Sequence, residues 1–225
     1  MFRIFSETKE KPQMKVLARE KTRYNDIYVI QNGEHRELWF KGEGKYYLQS
    51  RMDIRGQNPL ALVYSRMMMA ALLFSPEPRR MLMVGLGGAA VSNCLTQWFP
   101  SLKVDIVEVD SKVIDISKKY FSLHESSRCR VFEDDGRVFI QKQKGREPYD
   151  WIILDAFKSG SIPYHLKTCE FYEEIHAVLS SGGVVGSNLY GKGNNLKPRD
   201  IQTFLSVFSQ IYCFEDDDQV ATVLI

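Results

Sequence analysis

An apolar run that breaks into glycines, followed at a set distance by a carboxylate, constrains this chain more than any other feature. Met81-Leu82-Met83-Val84 reads as a buried strand and ends in Gly85-Leu86-Gly87-Gly88. Val104-Asp105-Ile106-Val107 reads as a second strand and ends in Glu108. Glu108 lies 20 positions beyond Gly88. The order is strand, glycine turn, helix, strand, carboxylate, which is the layout of a nucleotide-binding βαβ unit. Glycines let the backbone approach a ligand closely, and a carboxylate at that distance can accept both hydroxyls of a ribose. The pattern predicts an adenosine-type ligand.

The rest of the composition fits a globular chain. At 225 residues, 44% hydrophobic and 26% charged, there is material for one domain plus a small appendage, with a sizeable core. A net charge of +2 points to neither a nucleic-acid nor a membrane partner. Cys94, Cys129, Cys169 and Cys213 lie far apart with no Cys-x-x-Cys. That favours reduced thiols in a cytoplasmic protein over a zinc or redox site, and no metal is expected. The first 20 residues hold no signal-like apolar region. No apolar run approaches the ~18 residues of a membrane span.

Residues 1–21 read as a polar, basic lead-in. Three β-prone runs follow, 24–30, 36–40 and 45–49, separated by Gln31-Asn32-Gly33-Glu34 and Gly42-Glu43-Gly44. Asn-Gly between such runs is a hairpin signal, so residues 22–55 form an antiparallel β unit. Residues 56–225 form the second domain. A Met-rich helix is expected over 59–74, entered at Asn58-Pro59. Strands at 81–85, 103–107, 129–133, 150–154 and 184–188 then alternate with helices at 88–98, 111–121, 136–143, 169–180 and 197–210. Two short strands end the chain. Such alternation predicts an α/β fold with a mostly parallel, seven-stranded sheet covered on both faces.

Ligands of open α/β sheets bind beyond the carboxyl ends of the strands. Those ends carry Gly85-Leu86-Gly87-Gly88, Glu108-Val109-Asp110, Glu133-Asp134-Asp135-Gly136 and Asp155-Ala156-Phe157. Asp110 reads as an N-cap before Ser111, and one of Asp134 and Asp135 as the cap of the next helix. Asp155 follows the apolar Trp151-Ile152-Ile153-Leu154. A carboxylate there must find partners or shift its pKa, which marks it as functional. His35, His124 and His176 receive no role, and His165, in the loop after Asp155 near the site, reads as a structural or surface residue. Glu215-Asp216-Asp217-Asp218 reads as a solvated turn.

With these residues in hand, the chain resembles the spermidine synthase family, the polyamine aminopropyltransferases, over roughly residues 22–225. Tyr24-Asn25-Asp26-Ile27-Tyr28-Val29 is similar to the family's first strand. Leu38-Trp39-Phe40-Lys41-Gly42 is similar to its Leu-x-Leu-Asp-Gly segment, and Gln49-Ser50 to its Gln-Ser. Tyr64 matches the tyrosine of the Tyr-x-Glu helix. By this resemblance Glu108 is the ribose-binding acid, Asp135-Gly136 contacts adenine and Asp155 is the catalytic aspartate. Tyr64 is a second catalytic group, and Gly85, Gly87, Gly88 and Gln49 belong to the co-substrate site. The implied architecture is a methyltransferase-like Rossmann domain behind a small β unit.

The chain also departs from the family pattern. Gly88 stands where the glycine loop's aspartate would be, and that acid holds the amine of the aminopropyl group. The Asp-x-x-Asp-Pro segment has become Asp155-Ala156-Phe157-Lys158-Ser159-Gly160-Ser161-Ile162-Pro163, with the second aspartate gone and a lysine present. Ser65 and Arg66 follow Tyr64, and the C-terminal tyrosine loop has no counterpart. The pattern is that of a divergent, spermidine synthase-like branch, with the nucleoside half kept and the amine half eroded.

The resemblance implies transfer of an aminopropyl group from decarboxylated S-adenosylmethionine to a small amine, by a homodimer, without nucleic-acid or membrane partners. Ordinary S-adenosylmethionine is the other candidate co-substrate, since a loop with Gly88 in place of the acid tolerates its carboxylate. Two further readings stay open: an S-adenosylmethionine-dependent methyltransferase on the same fold, and a non-catalytic nucleoside-binding homologue.

Overall fold

Strand periodicity and turn chemistry divide the chain into two sheets. The computed structural model describes residues 14–158, 161–189, 196–216 and 221–225. The first sheet has four antiparallel strands in sequence order, β1 (Met14–Lys21), β2 (Asp26–Asn32), β3 (His35–Gly42) and β4 (Lys45–Asp53). Gly33 takes φ 56° in the β2–β3 turn, as the Asn-Gly signal requires. The β1 strand is a correction to the expected lead-in: residues 14–21 pair with β2 along its length. The remainder of that lead-in, residues 1–13, lies outside the described residues.

The second sheet has seven strands: β5 (Arg80–Val84), β6 (Lys103–Glu108), β7 (Cys129–Glu133), β8 (Tyr149–Leu154), β9 (Leu179–Asn188), β10 (Cys213–Glu215) and β11 (Thr222–Leu224). Their order is β10-β11-β9-β8-β5-β6-β7. The strands from β9 to β7 run parallel, and β11 and β10 add antiparallel at the edge. Successive residues of β5 point to opposite faces. Met81 and Met83 join one core with α1 (Val63–Met68), α2 (Ala90–Trp98) and α3 (Ser111–Tyr120). Leu82 and Val84 join the other with α4 (Gly136–Gln143), α5 (Cys169–His176) and α6 (Lys197–Leu205). The apolar face of the N-terminal sheet, with Ile27, Val29, Leu38 and Phe40, merges into the first core. The expected fold class, a Rossmann-type α/β sheet behind an antiparallel β unit, is the observed one.

Three elements differ in extent. The helix expected over 59–74 forms only as α1, followed by a 3-10 turn at Met69–Leu73. Arg66 donates to the carbonyls of Leu60 and Ala61, which would otherwise accept the first helical N–H groups. The helix expected to run to residue 180 ends at His176, and Gly182-Gly183 lie inside β9. There the register against β8 shifts between Tyr149 and Trp151, and Gly182 takes φ 75°. α6 stops at Leu205 rather than at residue 210. Of the acidic run, Asp217 and Asp218 lie outside the described residues, while Glu215 is paired with Lys197.

Candidate active site

β5 lies between β6 and β8, so the crossovers leave it in opposite directions. A crevice opens at such a switch point, beyond the carboxyl ends of the strands. Here a cavity of about 820 Å³ fills it, roofed by the N-terminal sheet. Asp155, Tyr64, Gly85, Gly87, Glu108, Asp135, Gly136 and Gln49 all line this cavity. Gly88 does not. A Cβ there would sit 2.7 Å from the Ser50 Cβ and 3.0 Å from the Phe121 ring, so its side-chain direction is filled by protein.

The glycine turn is shaped by close approach. Gly85 has φ 94°, and a Cβ on it would fall 2.4 Å from the Asp155 carbonyl oxygen. Only glycine lets β5 and β8 converge there. Gly136 answers the same need on the other side, because a Cβ would meet Val84 Cγ1 at 2.5 Å. The Ser117 hydroxyl donates to the Gly87 carbonyl at 2.6 Å and fixes the loop against α3.

Glu108 is held from below. Its Oε2 accepts the Leu86 N–H at 3.0 Å and its Oε1 accepts the Asp110 N–H at 3.0 Å. Burial raises its pKa, and these N–H groups pull it back. Each oxygen keeps a lone pair for a diol. Asp110 caps α3 through the Lys112 N–H at 3.1 Å, as the sequence indicates. Its other oxygen accepts Thr22 Oγ1 at 2.7 Å and Asn25 Nδ2 at 3.3 Å, tying the N-terminal sheet to the end of β6. Asp135, not Asp134, is the cap of α4: its Oδ1 accepts from Arg137 and Val138. Its Oδ2 lies 2.8 Å from His165 Nε2, so this histidine stands in the cavity wall and braces the α4 cap. Asp134 takes Lys142 Nζ at 2.6 Å.

Asp155 has the sparest surroundings. Its Oδ1 accepts Asn188 Nδ2 at 2.8 Å. The Tyr64 hydroxyl has one proton and two acceptors, the Gln49 carbonyl at 3.2 Å and the neighbouring Asp155 carboxylate. Part of the Asp155 surface opens on the cavity, yet the carboxylate sits at its floor with protein around it. Burial pushes its pKa up to about 7, against the lowering effect of Asn188 and Tyr64, and the Glu108 charge adds to the rise. Burial and the Asp155 charge together push the Tyr64 phenol well above its ordinary value. Such a carboxylate is ionised at slightly alkaline pH and still basic enough to take a proton, the balance a general base needs.

Asn188 was not among the expected site residues. It ends β9, the fifth parallel strand, and the rule that singles out Asp155 at the end of β8 singles it out equally. Among the described residues no group of three or more His, Cys, Asp or Glu side chains could hold a metal ion. No helix among them is long and apolar enough to cross a membrane.

Comparison with known proteins agrees with this geometry. Residues 61–223 match the model of the spermine/spermidine synthase domain. The polyamine aminopropyltransferase of Vibrio vulnificus is 38% identical over 210 residues, covering 90% of this chain and 68% of that protein. A solved spermidine synthase in complex with the transition-state analogue AdoDATO superposes with a TM-score of 0.75 at 19% identity, covering 95% of this chain and 74% of that one. Human methyltransferase-like protein 13, solved in complex with SAH, gives 0.65 at 24% identity, covering 73% and 81%. With a βαβ cavity of this construction and matches of that extent, the chain belongs to the spermine/spermidine synthase family.

Proposed function

We propose that this protein transfers the aminopropyl group of decarboxylated S-adenosylmethionine to a small amine, with Asp155 as general base and Tyr64 beside it. The observation that carries the reading is Asp155 itself: a carboxylate with pKa about 7 at the floor of a nucleoside-sized cavity that also contains Glu108. Glu108 accepts the ribose hydroxyls. Gly85 and Gly87 let the sulfonium end come close to the backbone, and Gln49 closes the cavity from the β unit. The adenine lies toward Asp135 and Gly136. Because Asp135 already caps α4 and contacts His165, an adenine amino group competes with His165 for its Oδ2. The reading includes a metal-free homodimer in the cytoplasm.

An alkylamine with a pKa near ~10 arrives protonated, and Asp155 takes that proton. The freed nitrogen lone pair forms a bond to the aminopropyl carbon next to sulfur. The carbon–sulfur bond breaks, its electron pair returns to sulfur, and neutral methylthioadenosine leaves. The site holds nitrogen, carbon and sulfur in line, and that alignment supplies much of the rate.

Incubation with decarboxylated S-adenosylmethionine and a panel of amines should release methylthioadenosine. Asp155→Asn should lower the rate by roughly 10²–10⁴-fold. No product with any amine would reject the reading. One observation favours a second reading, methyl transfer from S-adenosylmethionine: a methyltransferase solved in complex with SAH shares this fold. Release of S-adenosylhomocysteine instead of methylthioadenosine would select it.

A further inference from the structure

A diamine or longer polyamine brings a second ammonium into the cavity beside the reacting nitrogen. An ammonium drawn out of water needs a carboxylate or the face of an aromatic ring. The described carboxylates that line the cavity are Glu108, Asp134, Asp135 and Asp155. Glu108 accepts two backbone N–H groups, Asp134 is paired with Lys142, and Asp135 caps α4 and meets His165. Asp155 takes the reacting nitrogen. The distal ammonium is left to the rings.

The roof supplies them. Tyr24 and Tyr46 are already faced by the protein's own cations, Arg23 at 4.7 Å and Lys41 at 5.4 Å from the ring centres. Trp39, half-buried on β3, also lines the cavity, and among the described residues no Arg or Lys faces its ring. Of the aromatic side chains, Trp holds a cation best. The indole N–H donates to Glu37 Oε2 at 2.9 Å, which fixes the ring plane and polarises the indole so that its faces gain electron density. Glu37 is buried, and its Oε1 accepts Arg51 Nε at 3.0 Å and Nη2 at 2.9 Å. That pair offsets the Arg51 charge, leaving the indole as the member of this network that an incoming cation meets. Lys158, the lysine of the lining, is exposed, so solvent and salt screen it.

We infer that Trp39 is the subsite for the distal ammonium of a di- or polyamine acceptor, held by the ring face in place of a carboxylate. This rests on the aminopropyl-transfer reading for the acceptor's role, while the ammonium preference is measurable by binding alone. n-Pentylamine and cadaverine differ by one ammonium. Isothermal titration of both into the methylthioadenosine-bound protein at pH 8 should show cadaverine binding at least about threefold more tightly. Trp39→Leu should weaken cadaverine about tenfold and move n-pentylamine less than about twofold. Trp39→Phe keeps a ring and most of the packing, and should weaken cadaverine about threefold. It decides the matter alone if the leucine variant fails to fold. No preference for cadaverine in the wild type, cadaverine affinity unmoved in the variants, or equal weakening of both amines overturns the inference. Methylthioadenosine release from decarboxylated S-adenosylmethionine and cadaverine is scored separately. Its absence with the binding pattern intact counts against aminopropyl transfer and leaves the subsite standing.

Discussion

At the scale of single residues, Asp155 links function to stability. Its folded pKa of about 7 lies above the ordinary carboxylate value of ~4. Between those two values the folded state holds a proton that the unfolded state has lost. The stabilisation from this group is therefore complete below ~4 and is lost as pH rises through about 7. On the proposed role as general base, activity runs the other way, because only the ionised form accepts a proton. The acidic limb of kcat/KM should fall near pH 7, and Asp155→Asn should raise stability at pH 8 by roughly 1–3 kcal/mol, discounted for the open side of the carboxylate. The stability gap between variant and wild type should narrow as pH falls toward 4. Urea titrations at three pH values check this, and a gap that widens on acidification contradicts it. Gly85→Ala acts purely on the backbone. A positive φ costs ~1–2 kcal/mol for an L-residue, and the 2.4 Å contact with the Asp155 carbonyl adds overpacking. A total loss of roughly 2–5 kcal/mol is expected in the same titration. Both residues were legible in the sequence, since an acid after a buried strand and a glycine after its neighbour have few other uses. The same strand-end rule reaches Asn188, but a neutral amide carries no charge signal there, so its bond to Asp155 becomes visible only when β9 is seen beside β8.

At the scale of elements, periodicity located nearly every strand and helix, and their ends were set by contacts that periodicity does not encode. The helix near Tyr64 is short because Arg66 captures the preceding carbonyls. α5 ends early because Leu179 pairs with Tyr149 across the sheet. β1 escaped notice because it is an edge strand with mostly exposed, charged residues and so shows no apolar alternation. The join between the two sheets was equally hidden, since Asp110 reads as a helix cap and nothing local announces Thr22 and Asn25 as its partners. Asp110→Ala removes both functions. It should destabilise the protein by roughly 2 kcal/mol, about half from the lost cap and the rest from the orphaned donors. Amide exchange at residues 22–32 should quicken. Asp110→Asn keeps one acceptor for the cap but turns its NH₂ toward the Thr22 and Asn25 donors, so it should cost about half as much. No loss in Asp110→Asn would show that the link to the N-terminal sheet does not bear on stability.

At the scale of the whole molecule, the cavity lies between the roof sheet and the open sheet, so a ligand that fills it couples binding to global stability. Methylthioadenosine at 100 times its dissociation constant should add ~2.7 kcal/mol. For a chain of this size that is a rise in Tm of roughly 5–10 °C. Glu108→Gln should weaken the complex about 10–100-fold, because both oxygens accept backbone N–H groups and an amide must turn an NH₂ toward one of them. A Tm shift equal in the two proteins would remove Glu108 from the ribose site. Position 88 also ties the charge of the glycine loop to the seating of the roof. A Cβ there would fall 2.7 Å from the Ser50 Cβ and 3.0 Å from the Phe121 ring. Any side chain at this point must displace a neighbour on the roof or at the end of α3, so the loop stays uncharged for as long as the two sheets keep their present fit.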